Sequence, residues 1–418
     1  MSVPTIDSHD SLLRSRQWWL VLILMAIPTW SMYDRLFNVL LSPDSLPPWM
    51  TTLMVTIQVV LLGLSLPWLL RRMSALPAIA SRGILVMLAA ILVIGFFMLY
   101  PLADSGALGF VSDRDEALDI AVRQLWQGGN PYDCRAAAGV HRGCPQQGTL
   151  IAPLPGGMLL AMPFVALGGS AGASLGLLLI LLLVLWRSYR SSFLIWTFLI
   201  LILAGMPVVL AEIFTGGDHL ANALCVTLAA WWCLQARSWR EALPAGILLG
   251  LSLSWRAPFL LLGIPFLVAF AKKGGARVWW MAGLAAVISF MLVTLPLYVS
   301  DPGGFTPLQT QGKLAAFDHL LPSATVWAAG SAVLVGIWTG WRARNQPGLL
   351  MAMGWTVAVP FLWAVVLQSL EQGYPTAAFF GWYLLMPASM VVLGFTLQLF
   401  DRDDVSAALP FGKNPVNE

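Results

Sequence analysis

The chain is written as a series of long apolar runs separated by short polar punctuation. A membrane-crossing helix needs about 20 mostly apolar residues, and twelve runs approach or exceed that length: 17–34, 49–70, 83–101, 170–186, 193–212, 219–236, 243–255, 257–271, 278–299, 321–341, 347–370 and 375–399. The pattern predicts an all-α polytopic protein of about twelve spans. Arg14 and Arg16 precede the first run as they would in a secretion signal, but no small-residue cleavage site follows Ile27, so it reads as an uncleaved anchor. Tryptophans gather at run ends (Trp18, Trp19, Trp49, Trp68, Trp186, Trp279, Trp280, Trp341), where the headgroup layer suits an amphipathic ring.

Composition removes other classes. Hydrophobic residues make up 58% of the 418 positions and charged residues 10%, against roughly 25% charged in soluble domains. Too few charges remain to cover a water-exposed surface, which excludes a nucleic-acid-binding protein, a secreted disulfide scaffold and a cytosolic enzyme. The net charge of +3 matters less than its distribution across the membrane. Residues 151–186 are 36 positions without a charge, long enough to cross twice. With one crossing, Lys and Arg divide 16 to 7 in favour of the side holding Arg187 and Arg237. Two crossings would reverse that asymmetry, so the positive-inside rule prefers one and puts both termini in the cytoplasm. The stretch 151–169, with Pro153, Pro155, Gly156, Gly157 and Pro163, then reads as re-entrant. Acids fall 13 to 7 toward the external side, which is where chemistry is expected. No cytoplasmic loop is long enough for a nucleotide-binding domain and no GxxxxGK[ST] occurs.

The external loop 102–150 is the one long polar stretch. Ser112 with Asp115, and Asp113 with Glu116, have capping-box spacing. Leu118, Ala121, Val122 and Leu125 share one face of the following helix, with Asp115, Asp119 and Arg123 on the other, which predicts an amphipathic helix at the membrane surface. Gly128-Gly129-Asn130-Pro131 stops it. Cys134 and Cys144 are expected to close a short external disulfide loop, two free thiols being the alternative. Cys225 and Cys233, inside a span, read as packing residues.

An acidic cluster (Asp113-Arg114-Asp115-Glu116), a short helix, Gly129-Asn130-Pro131-Tyr132-Asp133 and a Pro-rich return (Ala152-Pro153-Leu154-Pro155) follow an apolar span in that order. This arrangement resembles the membrane-embedded GT-C glycosyltransferases, and among them the bacterial polyprenyl-phosphate-dependent mannosyltransferases of the family 87 kind. Gly128 or Gly129 with Pro131 and Tyr132 matches that family's "G-x-x-P-Y" element, and Ala152–Pro155 is a degraded "Y-P-P" element. Gly216-Gly217-Asp218-His219-Leu220 and Gly250–Pro258, with Arg256 breaking an apolar hairpin, also fit. The resemblance covers roughly 83–271. It divides the chain into an N-terminal tail and two-span hairpin (1–82), a GT-C-like catalytic module (83–271) and C-terminal spans with a tail (272–418). Two spans precede the acidic loop that the family pattern does not require.

The resemblance implies transfer of a sugar, with inversion, from a polyprenyl-phosphate donor to a glycan or glycolipid acceptor at the external face of a bacterial-type plasma membrane. Such chemistry needs a carboxylate to accept the acceptor's proton and positive charge to stabilise the departing phosphate. Asp113 is the first candidate base and Asp115 the second; both also suit plain helix capping. Arg256 is the candidate phosphate partner, because an ion between two apolar segments is costly without a function, the alternative being snorkelling to headgroups. Asp218, His219, Tyr132, Lys313 and Tyr383 are candidate substrate contacts, while Glu212 reads as the mark of a span end. A divalent metal held by Asp218 and His219 with Asp113 is conceivable, but no metal-ligand spacing such as HxxxH occurs. The competing class is a transporter or lipid flippase using Asp218 and Arg256 as a midplane pathway, and it predicts mid-span charges and inverted repeats.

Overall fold

The computed structural model describes residues 16–40, 48–107, 113–132, 150–273 and 277–401. These are largely helical, with no strand among them. The helices are α1 (Arg16–Leu40), α2 (Pro48–Ser74), α3 (Ala78–Asp104), α4 (Arg114–Trp126), α5 (Pro155–Ala166), α6 (Ala173–Tyr189), α7 (Ser192–Leu199), α8 (Val208–Phe214), α9 (His219–Gln235), α10 (Trp239–Leu253), α11 (Gly263–Lys273), α12 (Arg277–Ser300), α13 (Ala324–Arg342), α14 (Gln346–Gln372) and α15 (Leu385–Asp401). All twelve apolar runs contain helix, and seven helices among the described residues are long and apolar enough to cross a membrane unaided. Leu64, Val86 and Phe97 are 71%, 70% and 70% exposed, so α2 and α3 present apolar faces that only lipid would cover. The fold is that of an all-α integral membrane protein.

The central helices are α9, buried from Leu220 to Leu234 along most of its length, and α15, whose Leu385 to Leu399 segment is lined by fully buried side chains. Small residues let helices approach where no hydrophobic effect drives them together. Gly246 and Gly250 of α10 sit against the backbone carbonyls of Ala282 and Ala286 on α12, where a Cβ would not fit. Gly354 and Gly394 serve the α14–α15 contact in the same way.

The run 193–212 is not one continuous span. Helix α7 passes through a π turn over Ile200–Ala204, and α8 then leaves at 85°. Pro207 follows the break and lacks an amide hydrogen, so the ladder cannot continue. The freed carbonyls are satisfied from neighbouring helices: Thr29 Oγ1 donates to Gly205 O at 3.3 Å and Gln58 Nε2 to Ala204 O at 2.8 Å. Irregular backbone is tolerated at this depth only where protein supplies such partners. The bend carries Glu212, near the end of α8, into the interior.

The segment 151–170 leaves and returns on the side of α4. Tyr132 Oη donates to Pro153 O at 2.9 Å, and Thr306 Oγ1 donates to Ile151 O at 2.6 Å. At the other end Ser170 N donates to Asp119 Oδ1 at 2.7 Å, and Ser170 Oγ to Asp115 O at 3.1 Å. Between them α5 has 12 residues, about 18 Å of helix, which is too short to span. Gly168 and Gly169, at φ 131° and 148°, make the return in a backbone region that side chains disfavour.

Candidate active site

The site is assembled from the ends of elements far apart in the chain. Helix α4 packs through Leu118, Ala121 and Val122, all buried. Asp113 occupies its N-cap position without making the side-chain capping hydrogen bond that the spacing predicts. Asp115 does not lie on the solvent face with Asp119 and Arg123. It is 5% exposed, and its Oδ2 accepts the Tyr100 hydroxyl at 2.6 Å. The reason is tertiary: α3 ends beside α4 and offers a phenol, while Gly216, at φ 73°, passes so close to Asp115 that a Cβ would lie 2.6 Å from Oδ2. Burial pushes the Asp115 carboxyl up to about 7 against the opposing effect of the Tyr100 hydrogen bond.

Arg114 turns inward from the same helix. Its Nη1 lies 2.8 Å from Glu212 Oε1 and 2.9 Å from His219 Nδ1. Glu212 is fully buried and organises its surroundings: Oε2 accepts the backbone amides of His219 at 2.9 Å and Leu220 at 3.3 Å, and Oε1 also accepts Trp382 Nε1. A carboxylate on the first amides of α9 is favoured by the helix dipole. Arg35 of α1 and Arg114 flank the Trp382 ring at 4.8 and 6.0 Å from its centroid.

The second ion pair is Arg256 with Asp218, Nη2 to Oδ2 at 2.5 Å, with Trp255 Nε1 donating to the same oxygen at 3.3 Å. The Pro-rich return positions Arg256. Leu154 N donates to Trp255 O at 2.9 Å, Gly157 N to Ser254 O at 2.7 Å and Gly156 N to Ser254 Oγ at 3.0 Å. Ser254 Oγ also meets Thr294 Oγ1 at 2.8 Å. Gly156 is required for this close approach, since a Cβ there would run into Leu251 O and Ser254.

The His219 ring sits 4.7 Å from the ring of Tyr383, which stacks on Phe361 at 5.7 Å and accepts a hydrogen bond from Lys313 Nζ at 3.0 Å. The positive potentials of Arg114, Arg256, Arg35 and Lys313 all reach His219. Three buried carboxyl groups, Glu212, Asp218 and Asp115, stand with these four cations. The buried atoms His219 Nε2, Asp218 Oδ1, Asp115 Oδ1 and Arg256 Nε have no hydrogen-bond partner, so the cluster keeps unused valences.

The sequence-derived candidates Arg256, Asp218, His219, Lys313 and Tyr383 therefore converge. Tyr132 does not join them: it is 1% exposed, spends its hydroxyl on Pro153 and packs edge-on against Phe305 at 4.9 Å, so it belongs to the scaffold. Cys134 and Cys144 lie outside the described residues. Cys225 and Cys233 are buried free thiols. Glu212, Arg114, Arg35, Trp382 and Tyr100 were not singled out by the sequence pattern. The only signal for Glu212 was an acid at the tip of an apolar run, four residues before Gly216-Gly217. For a divalent cation the donor set is unsuitable. No group of three His, Cys, Asp or Glu converges among the described residues, and Glu212 and Asp218 already pair with arginines. No step is derived through a metal.

No family model matches the chain, and neither a curated protein nor a solved structure is similar to it.

Proposed function

We propose that this protein is a GT-C-like glycosyltransferase of about twelve spans, which moves a sugar from a polyprenyl-phosphate donor to a glycan or glycolipid acceptor at the external membrane face. The observation that carries the reading is the excess of positive charge at the cluster: Arg35, Arg114, Arg256 and Lys313 against Glu212, Asp218 and, when ionised, Asp115. A lipid-phosphate sugar is a phosphodiester with one negative charge, and its leaving group is a phosphate monoester approaching two. Fixed cations in excess therefore bind the leaving group more tightly as the bond to the sugar breaks, which is the condition for lowering a barrier.

In this mechanism the acceptor hydroxyl oxygen attacks the anomeric carbon from the face opposite the phosphate. The bond from that carbon to the phosphate oxygen breaks, polyprenyl phosphate departs toward Arg256 and Lys313, and a carboxylate takes the hydroxyl proton. Asp115 moves ahead of Asp113 for that last role. It is buried beside Gly216 and titrates near neutrality, where a general base works best, and its Oδ1 has no partner. Tyr383, backed by the buried His219 ring, supplies a ring surface for the sugar or the first isoprene units.

One observation favours the transporter or flippase reading instead: the α7–α8 break, since discontinuous helices mark many transport sites. The discriminating experiment is transfer of labelled sugar from a synthetic polyprenyl-phosphate donor by the reconstituted full chain. Covalent product supports the transferase. Donor translocated across the bilayer with no product supports the alternative.

A further inference from the structure

We propose a second ligand site at the opposite end of the same helices, which holds the headgroup of an anionic phospholipid such as phosphatidylglycerol. Arg82, Trp186, Arg187 and Arg190 line a cavity of about 520 Å³ between the start of α3 and the end of α6. It lies a membrane away from the candidate active site. From Arg82 to Tyr100, which binds Asp115, is about 27 Å along α3 at 1.5 Å per residue, close to a hydrocarbon core of about 30 Å. The excess of basic residues assigns this end to the cytoplasmic leaflet, where anionic lipids supply the counter-charge.

Three features point to a lipid rather than to structural ion pairing. No carboxylate pairs with Arg82, Arg187 or Arg190 among the described residues, so three cations share one cavity without an internal anion. Arg190 occupies the left-handed cap of α6, at φ 50° and ψ 25°, with its amide donating to Trp186 O at 2.8 Å. Glycine serves such a cap without strain, and arginine there keeps a cation at the cavity. The apolar surface beside the cavity runs on toward the membrane centre: Val86 on α3 is 70% exposed, and Ile180 and Leu183 on α6 are 46% and 55% exposed. That is where acyl chains would lie. Arg82 stacks over Trp186 at 5.1 Å, and the buried hydrogen bond from Trp196 Nε1 to Ser81 Oγ at 2.9 Å anchors the start of α3 to α7, so the cavity wall is held in place.

The test is native mass spectrometry of the full chain in detergent with equal amounts of phosphatidylglycerol and phosphatidylcholine. The wild type should retain phosphatidylglycerol at least about 10-fold better. Arg82→Gln with Arg187→Gln should reduce the preference to about 2-fold or less, and the Lys pair at the same positions should keep most of it. Arg123→Gln, a surface charge at the other membrane face, should leave it unchanged. Arg190→Gly relieves the cap and so keeps the fold, and should lower retention on its own. Equal retention of the two lipids by the wild type, or undiminished preference in both the Gln pair and Arg190→Gly, overturns the proposal. Displacement of the lipid by 10 mM inorganic phosphate also overturns it, by showing a free-phosphate site. None of these outcomes depends on sugar transfer, so the lipid site stands or falls apart from the proposed activity.

Discussion

Arg114 and Glu212, 98 residues apart, meet at 2.8 Å with the carboxylate side chain 1% exposed and the guanidinium 21% exposed. This contact ties helix α4 to the bent helix α8. Glu212 also accepts two amides of α9 and the indole of Trp382, so one buried charge orients four elements. Removing Arg114 alone leaves that carboxylate with a positive partner lost, a change worth about 2 kcal/mol, less than the roughly 3–5 kcal/mol of a fully buried pair because the arginine is part-exposed. Arg114→Met should lower thermal stability by that amount. Arg114→Met with Glu212→Gln should cost less than the sum of the singles by at least about 1 kcal/mol. A strictly additive cycle measured by detergent-phase unfolding would show that the pair is not coupled.

The Asp115 carboxyl is raised to about 7 by burial, against about 3.9 in an unfolded chain. Its neutral form is therefore favoured by folding, so its contribution to stability is complete below about pH 4 and is lost as pH rises through about 7. Asp115→Asn should remove that decline, and the variant should gain stability relative to the wild type above pH 7. Activity should move the opposite way. As the base, Asp115 must be ionised, so wild-type transfer should rise with pH through about 7, and Asp115→Asn should lose about 100-fold or more. Asp113→Asn, which keeps a residue suited to the N-cap, should retain most activity. The reverse ranking of the two variants would return the base to Asp113.

Arg256 pairs with Asp218 at 2.5 Å, with Trp255 on the same oxygen. Arg256→Gln should weaken retention of a polyprenyl-phosphate donor as well as turnover, because the charge is felt in both ground and transition states. Lys313→Gln, whose parent amine is exposed and bonds Tyr383, should reduce turnover by less, about 10-fold. Donor binding measured apart from transfer separates the effects. Unchanged donor binding in Arg256→Gln would deny it the phosphate role.

The helical class and the apolar runs were legible because a membrane-crossing helix needs about 20 uncharged residues and satisfies its own backbone in lipid, whereas a barrel strand needs only about 10. Charge balance and prolines make 151–169 read as re-entrant, and the structure gives that stretch a helix of only 12 residues. The bend after α7 was not legible. Apolar composition runs straight through Gly205 and Pro207, and the break is stabilised by Thr29 and Gln58, which lie 176 and 146 residues away from the atoms they satisfy. Asp115 was misplaced for a related reason. Helical periodicity assigned it to the polar face, but Tyr100 from another helix supplied a buried partner. Glu212, Arg35 and Trp382 are tertiary in the same sense. Each sits at the end of an apolar run where an isolated charge or indole looks like a boundary, and only the packing of α1, α8 and α15 makes them one cluster. Arg256, Asp218 and His219 were visible because polar residues at those positions cost too much to be incidental.

Gly156 provides a test of the scaffold that leaves every charged group in place. Its missing side chain lets the Pro-rich return press against Ser254 and Leu251 O, and the amide of Gly156 itself bonds Ser254 Oγ at 3.0 Å. Adding a methyl group forces backbone, not a flexible side-chain end, to move. Overpacking of this kind costs about 1–3 kcal/mol, so Gly156→Ala should lower stability within that range. The displaced loop is the one that presents Trp255 and Arg256, and a misplacement of about 1 Å at a reacting group costs about 100-fold in rate. Turnover in Gly156→Ala should therefore fall far more than the folded fraction does at the assay temperature. Gly128→Ala, at φ 74° with open space around it, supplies the comparison: it strains a turn but touches nothing in the cluster, so it should lose stability with little loss of transfer per folded molecule. Equal specific activities for the two variants would mean that the Pro-rich return does not position Arg256 for the reaction.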